Sequence, residues 1–286
     1  MTQPIVVGFD GSQSSRQALT WAGQEAAIRA APLHIVHALP PWSPDVLLAP
    51  EATGWDADAE AAAREQLGQA EAHVRAGRPQ SQVTTGVVSG PAGEVLVQAG
   101  EGAQLIVVGS RGHGRFAELL LGSVSLHVAT RASCPVAVVR QPPAVGHGVV
   151  VVGVTGQSGQ ETLLDLAFQE AALRRATLRA VHAWTHPGTI TPWTVEPVVY
   201  DVEVVGQDEA LRLAQVLAGW RDRFPDVEVV QQVVHEHPAK ALVRASAEAD
   251  VVVVAASHGA TRAVLLGGTT HAVLHHARAP VLVVRG

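Results

Sequence analysis

Residues 5–12 read IVVGFDGS, and residues 150–157 read VVVGVTGQ. Each is a run of β-branched residues that breaks at a glycine-containing turn, the signature of a buried strand handing the chain to a helix. The offset of 145 between them holds without a gap for QEAAIRAAPLHIVHAL (24–39) against QEAALRRATLRAVHAW (169–184). Further on, SGPAGEVLVQAGEGAQLIVVGSRG (89–112) faces HEHPAKALVRASAEADVVVVAASHG (235–259) at an offset near 147, which would set Ala256 opposite Gly109. CPVAVVR (134–140) then matches APVLVVR (279–285), with the offset back at 145. One register that aligns separate segments makes this chain a tandem repeat. We expect one domain over residues 1–142 and another over 148–286, joined at the Pro/Gly-rich QPPAVGHG (141–148).

Within the first half, Ile5–Val7, Leu33–His37, Val83–Val88, Leu105–Val108 and Val136–Val139 read as five strands. Ser14–Ala31, Asp58–Ala76, Ala92–Gly100 and Ser123–Arg131 read as helices between them. Ala18, Ala22, Gly23, Ala26 and Ala27 give the first helix a small-residue face suited to close packing on a sheet. Continuous apolar strands joined by helical crossovers imply an α/β fold: two doubly wound, Rossmann-like domains in tandem, each with a five-stranded parallel sheet. The apolar terminal strands, 135–140 and 280–285, fall at sheet edges, and an exposed apolar edge is a liability. We therefore expect them to pair with each other about a pseudo-two-fold axis.

The composition excludes several function classes. The chain has 286 residues, 47% hydrophobic and 16% charged, with a formal charge of −6. Disorder is excluded, and broad electrostatic binding to nucleic acid or anionic membrane is not expected. Cys134 is the single cysteine, so no intrachain disulfide or Cys-based zinc site can form. Lys240 is the single lysine, which rules out a Walker A phosphate loop. No basic leader and no run of about 20 apolar residues is present, so a soluble cytoplasmic protein is expected.

Ligands of doubly wound sheets bind beyond the carboxyl ends of the strands, where strand order reverses. There the chain reads GSRGHGRFAELLLGSVS, placing Gly109, Gly112, Gly122 and Ser123 in the spacing Gly-x2-Gly-x9-Gly-Ser. Glycines at 109 and 112 allow close backbone approach and positive φ. Gly122, Ser123, Val124 and Ser125 open the final helix, whose free N–H groups and dipole make a phosphate site without lysine. Arg111 and Arg115 can add charge-assisted bonds. Asp10, followed by Gly11 and Ser12, reads either as an acceptor for a base or ribose or as a turn residue, with Ser12 competing for the helix cap. Ala38 would offer its backbone to an adenine edge. His271 and His275 share a helix face at i, i+4, a zinc-compatible spacing, but no carboxylate partner follows, so no metal site is expected. No Ser-His-Asp order or nucleophile elbow is present, and no catalytic residue is assigned.

On these motifs, both halves resemble universal stress protein domains, and the whole chain resembles the tandem universal stress proteins common in actinobacteria. The glycine spacing resembles that of the ATP-binding subclass. The resemblance implies ATP as ligand, with Mg as its companion, a role in stress or dormancy response, at most weak ATPase activity, and a homodimer with a further protein partner. By position, Asp10 and Ala38 would hold adenine and ribose, Gly109 would approach the ribose, and Gly112, Gly122, Ser123 and Ser125 the phosphates. The second half departs from this pattern: Thr155 stands for Asp10, Gln157 for Ser12 and Ala256 for Gly109. Gly259, Gly267, Gly268 and Thr269 keep a possible helix-start anion site there. Two alternatives stay open, an ATP-hydrolysing or adenylating enzyme of the wider superfamily and a ligand-free assembly scaffold.

Overall fold

The computed structural model describes residues 2–39, 55–78, 80–112, 121–141, 146–157, 159–185, 201–256 and 266–285, without the side chains of residues 55 and 56. The first half runs β1 (Ile5–Gly8), α1 (Gln13–Ile28), β2 (Leu33–Leu39), α2 (Trp55–Gly77), β3 (Val83–Ser89), α3 (Ala92–Ala99), β4 (Leu105–Gly109), α4 (Ser123–Arg131) and β5 (Val136–Val139). The second repeats it as β6 (Val149–Gly153), α5 (Glu161–Arg174), β7 (Thr177–Trp184), α6 (Val202–Arg223), β8 (Val229–His235), α7 (Pro238–Ala245), β9 (Val251–Ala255), α8 (Gly268–His276) and β10 (Val281–Val284). The first helix stops at Ile28, short of the expected Ala31. Ala30 leaves the helix at φ 49°, and its counterpart Arg175 does the same at φ 51°.

The two five-stranded sheets merge into one, ordered β3-β2-β1-β4-β5-β10-β9-β6-β7-β8. Every neighbouring pair is parallel except the central one, where β5 and β10 run antiparallel with Val138 facing Val281 and Val136 facing Val283. The terminal strands thus cover each other's edges, as their apolar sequences demand. Strand side chains alternate between two cores, as a period of two requires. Ile5 and Val7 pack with Ala18, Leu19, Leu67, Phe168 and Leu213, under α1, α2, α5 and α6. Val6 and Val36 pack with Leu96, Val128, Leu242 and Val273, under α3, α4, α7 and α8. Ala18, Ala22, Gly23 and Ala26 form the buried face of α1, whereas Ala27 is exposed. Among the described residues no helix is long and apolar enough to cross a membrane.

Where α1 and α5 meet near the pseudo-two-fold axis, four charged side chains are buried together. Arg174 donates to both oxygens of Glu25, one of them at 2.6 Å, and to Glu170 on its own helix. Arg29 donates to Glu170 across the axis, with its Nε 4.0 Å from Glu25. The carboxylates are 1% and 0% exposed, and the arginines 9% and 10%. Glu25 and Glu170 are repeat partners, as are Arg29 and Arg174, so the quartet is two-fold symmetric.

Candidate functional site

At the carboxyl ends of β1, β2 and β4, where strand order reverses, lies a cavity of about 740 Å³. Gly8, Val36, Val108 and Leu96 make its apolar floor. Asp10, Ala38, Gly109, Arg111, Gly112 and the start of α4 from Gly122 to Ser125 form its walls. Most of the residues read from the sequence are therefore brought to one place. Gly11 and Ser12 are not in that lining. Gly11, at φ 80°, turns toward Gln66 of α2, and Ser12 caps α1, its Oγ accepting from Ser15 N at 3.1 Å. Arg115 lies outside the described residues.

The N-terminus of α4 meets the cavity without a side-chain cap. Gly122 is its N-cap, and no side chain closes the turn. Gly122 N itself donates to Ser110 O at 2.7 Å, but the N–H groups of Ser123, Val124 and Ser125 precede the first helical acceptor and point outward. The Ser125 hydroxyl is buried and spends its proton on Gly109 O at 2.6 Å. What Ser125 can donate to an anion is thus its peptide N–H, not its side chain.

The positive φ expected at two of the glycines is not found, and a packing constraint stands in its place. Neither Gly109 nor Gly112 has positive φ. A Cβ on Gly109 would sit 2.6–2.8 Å from Oγ, C and O of Ser14 at the start of α1, and one on Gly112 would sit 2.7 Å from Asp10 Oδ2. Both positions lack side chains because the β1 and β4 loops pack directly on each other. Ser14 Oγ also accepts from Arg111 N at 3.2 Å, and Asp10 Oδ1 accepts from Ser12 N at 3.0 Å. Ser14 was not singled out in the sequence; its signal is only that it faces the β4 glycine in the fold.

Ala38 continues beyond the end of β1. Val36 O accepts from Phe9 N at 2.9 Å. Peptide groups two residues apart in a strand point the same way, so the N–H and C=O of Ala38 extend over the end of β1 into the cavity.

The second half holds a homologous cavity of about 320 Å³, lined by Thr155, Ala183, Leu242, Ala255 and Gly267 to Thr270 among others. Gly267 is an uncapped N-cap, Gly267 N donates to Ala256 O at 2.7 Å, and the Thr270 hydroxyl donates to Ala255 O at 2.6 Å. Strand register corrects the sequence alignment here. Gly109 pairs with Val139, and Ala255 pairs with Val284. The counterpart of Gly109 is therefore Ala255, and Ala256 matches Ser110. A Cβ is tolerated at 255 because the facing helix α5 begins at Glu161 rather than at position 158, the match of Gln13. Gln160 fills the gap, accepting from Thr155 N at 2.9 Å and donating to Gln157 O at 2.6 Å. Gly259 lies outside the described residues. The antiparallel seam makes the two cavities open at opposite ends of the sheet.

Elsewhere, the His271 and His275 rings lie 4.4 Å apart, centroid to centroid, tilted by 34°, and among the described residues no three His, Cys, Asp or Glu side chains gather as a metal site. Burial pushes the Cys134 thiol up to about 11, as for a small apolar core residue.

Comparison with known proteins places these features. The model of the universal stress protein family matches residues 1–140 and again 147–285. Universal stress proteins of Mycobacterium bovis and Mycobacterium tuberculosis are 39% identical over 98% of this chain and 96% of their own length. A second Mycobacterium tuberculosis universal stress protein is 35% identical over the same shares. The crystal structure of a universal stress protein from Archaeoglobus fulgidus superposes with a TM-score of 0.73 at 19% identity, covering 99% of this chain and 98% of that one.

Proposed function

The chain belongs to the universal stress protein family, and from that premise we propose that its first half binds ATP and that occupancy of this site alters the associations of the chain during stress or dormancy. The observation that carries the proposal is the cavity of about 740 Å³ at the strand-order switch, apolar at its floor and closed on one side by the uncapped first turn of α4. An apolar slot with a few convergent polar groups suits a flat base, and a bare helix N-terminus suits phosphate.

In this reading Val36, Leu96 and Val108 receive the apolar face of adenine, and the peptide groups of Ala38 meet its edge. Asp10 accepts from ribose hydroxyl or base amino groups. The N–H groups of Ser123, Val124 and Ser125, with the Arg111 guanidinium, hold the phosphates. Among the described residues Asp10 is the one carboxylate in the lining, so Mg would arrive with the triphosphate rather than in a protein cage. We assign binding rather than rapid turnover, in the cytoplasm. The second half binds more weakly, because Thr155 lacks the charge of Asp10 and the cavity is less than half as large. Exposed Ile28 and Leu173, repeat partners at the ends of α1 and α5, support self-association through the face that carries the axis.

Calorimetric titration tests the reading. Losing a hydrogen bond to a charged group costs about 1.5–3 kcal/mol, so Asp10→Ala should weaken the tight site about 10- to 100-fold, while Thr155→Ala changes little. Two sites of equal affinity, or a tight site indifferent to Asp10→Ala, would refute it. Native mass spectrometry of the purified chain should show retained ATP and a dimer.

A further inference from the structure

The two halves exchange one arginine each across the central seam. Arg140, the residue after β5, donates to Leu274 O at 3.3 Å and to His275 O, both at the C-terminus of α8. Arg285, its repeat partner after β10, donates to Thr130 O near the C-terminus of α4 at 2.8 Å. The last carbonyls of a helix lack helical partners and form its negative pole, so a guanidinium there is a favourable cap. The positive poles of the same two helices are the uncapped turns in the two cavities. Each helix that faces a cavity is held at its far end by the other half.

Arg140 has a second cation beside it. Ser110 N donates to Val139 O at 2.8 Å, which sets Arg140 next to Arg111 at the ends of adjacent strands, and Arg111 lines the first cavity. Burial, and then the Arg111 charge, makes the Arg140 cation less favourable than usual. Arg140 in turn depresses His275, after burial, His271 and His276. At the matching place by Arg285, Ala256 N donates to Val284 O at 2.8 Å.

We propose that Arg140 is a positioning residue through which the second half feels an anion held beside Arg111 in the first cavity. The anion offsets the field of Arg111 on Arg140 and tightens the hold of Arg140 on the C-terminus of α8. The inference rests on the nucleotide reading of the first cavity and adds the route by which occupancy is transmitted. Because coupling is reciprocal, the α8 cap strengthens nucleotide binding by the same factor.

Hydrogen exchange on the full chain, with ATP as the probe at calorimetrically verified saturation, tests this. Amides at the end of α8, residues 273–277, should exchange about two- to fivefold more slowly with ATP, the span of a charge at a helix pole. Arg140→Gln, which keeps a donor but not the charge, should still bind ATP yet lose that slowing. Arg140→Lys should retain part of it, and Arg285→Gln should retain it in full. Unchanged or faster α8 exchange in the ATP-bound wild type, or equal slowing in Arg140→Gln, overturns the coupling. Absence of ATP binding heat in the wild type removes the nucleotide reading itself, and the coupling with it.

Discussion

Replacing Arg174 by methionine tests the contact between the halves most directly. Arg174 donates to both oxygens of Glu25 and to Glu170. Its removal leaves two carboxylates that are 1% and 0% exposed to share Arg29, whose Nε is 4.0 Å from Glu25. Breaking a buried ion pair from one side costs about 3–5 kcal/mol, because the remaining charge is stranded without water. We expect Arg174→Met to lose that much in urea unfolding followed by tryptophan fluorescence. The loss should depend on pH. Burial already holds the Glu25 carboxyl above its ordinary range, against the pull of Arg174, and loss of that pull raises it further. A carboxyl whose folded pKa exceeds its unfolded one contributes stability at acid pH that is lost as pH rises through the folded value. The deficit of Arg174→Met against wild type should therefore be smaller at pH 5 than at pH 8. Glu25→Gln, which mimics the protonated acid, should cost less alone and should recover much of the loss when combined with Arg174→Met. A deficit below about 1 kcal/mol, the scale of an exposed pair, or one flat with pH, would refute the reasoning.

Two further outcomes are expected. Gly122→Glu should leave the fold intact, since a Cβ there meets its nearest neighbours at an ordinary 3.5 Å, yet should weaken ATP at least about tenfold in calorimetry by setting a carboxylate among the phosphate-facing N–H groups. Cys134, its thiol held at about 11 by burial, should react with a thiol reagent at pH 7 far more slowly in the native chain than in urea, since only the thiolate is nucleophilic; equal rates would mean the side chain is accessible.

The fold was legible because its strands are uninterrupted Val/Ile runs and because the repeat states the architecture twice. Even the central pairing followed from two apolar edges that need covering. The limits were local. Between Val254 and Gly259 the second half carries one residue more than the first half does between Val108 and Gly112, and identity alone cannot say where it falls; the pairing of Ala255 with Val284 decides it. Gly109 reads as a ligand-facing glycine, but the atoms it avoids belong to Ser14, 95 residues away in sequence and adjacent only once α1 lies on β4. Ser12 and Ser125 both stand at helix starts in the sequence, yet the hydroxyl of one accepts from Ser15 N and that of the other donates to Gly109 O. Glu25 with Arg29 reads as an ordinary surface i, i+4 pair; only the antiparallel seam sets it against Glu170 and Arg174.

That seam also bears on how the two cavities could come to differ. Were β5 and β10 carried on separate identical chains, their pairing would be lost on dilution, and any substitution would alter both sites at once. Carried on one chain, the pairing proceeds at a fixed local concentration, on the order of millimolar for a short connection, at any cellular abundance. Each site can then change alone, provided the strand, the arginine behind it and the charged quartet are kept. Thr155, Ala255 and Gln160 in the second half are substitutions of that kind, gathered around one cavity while the joint beside it keeps its symmetry.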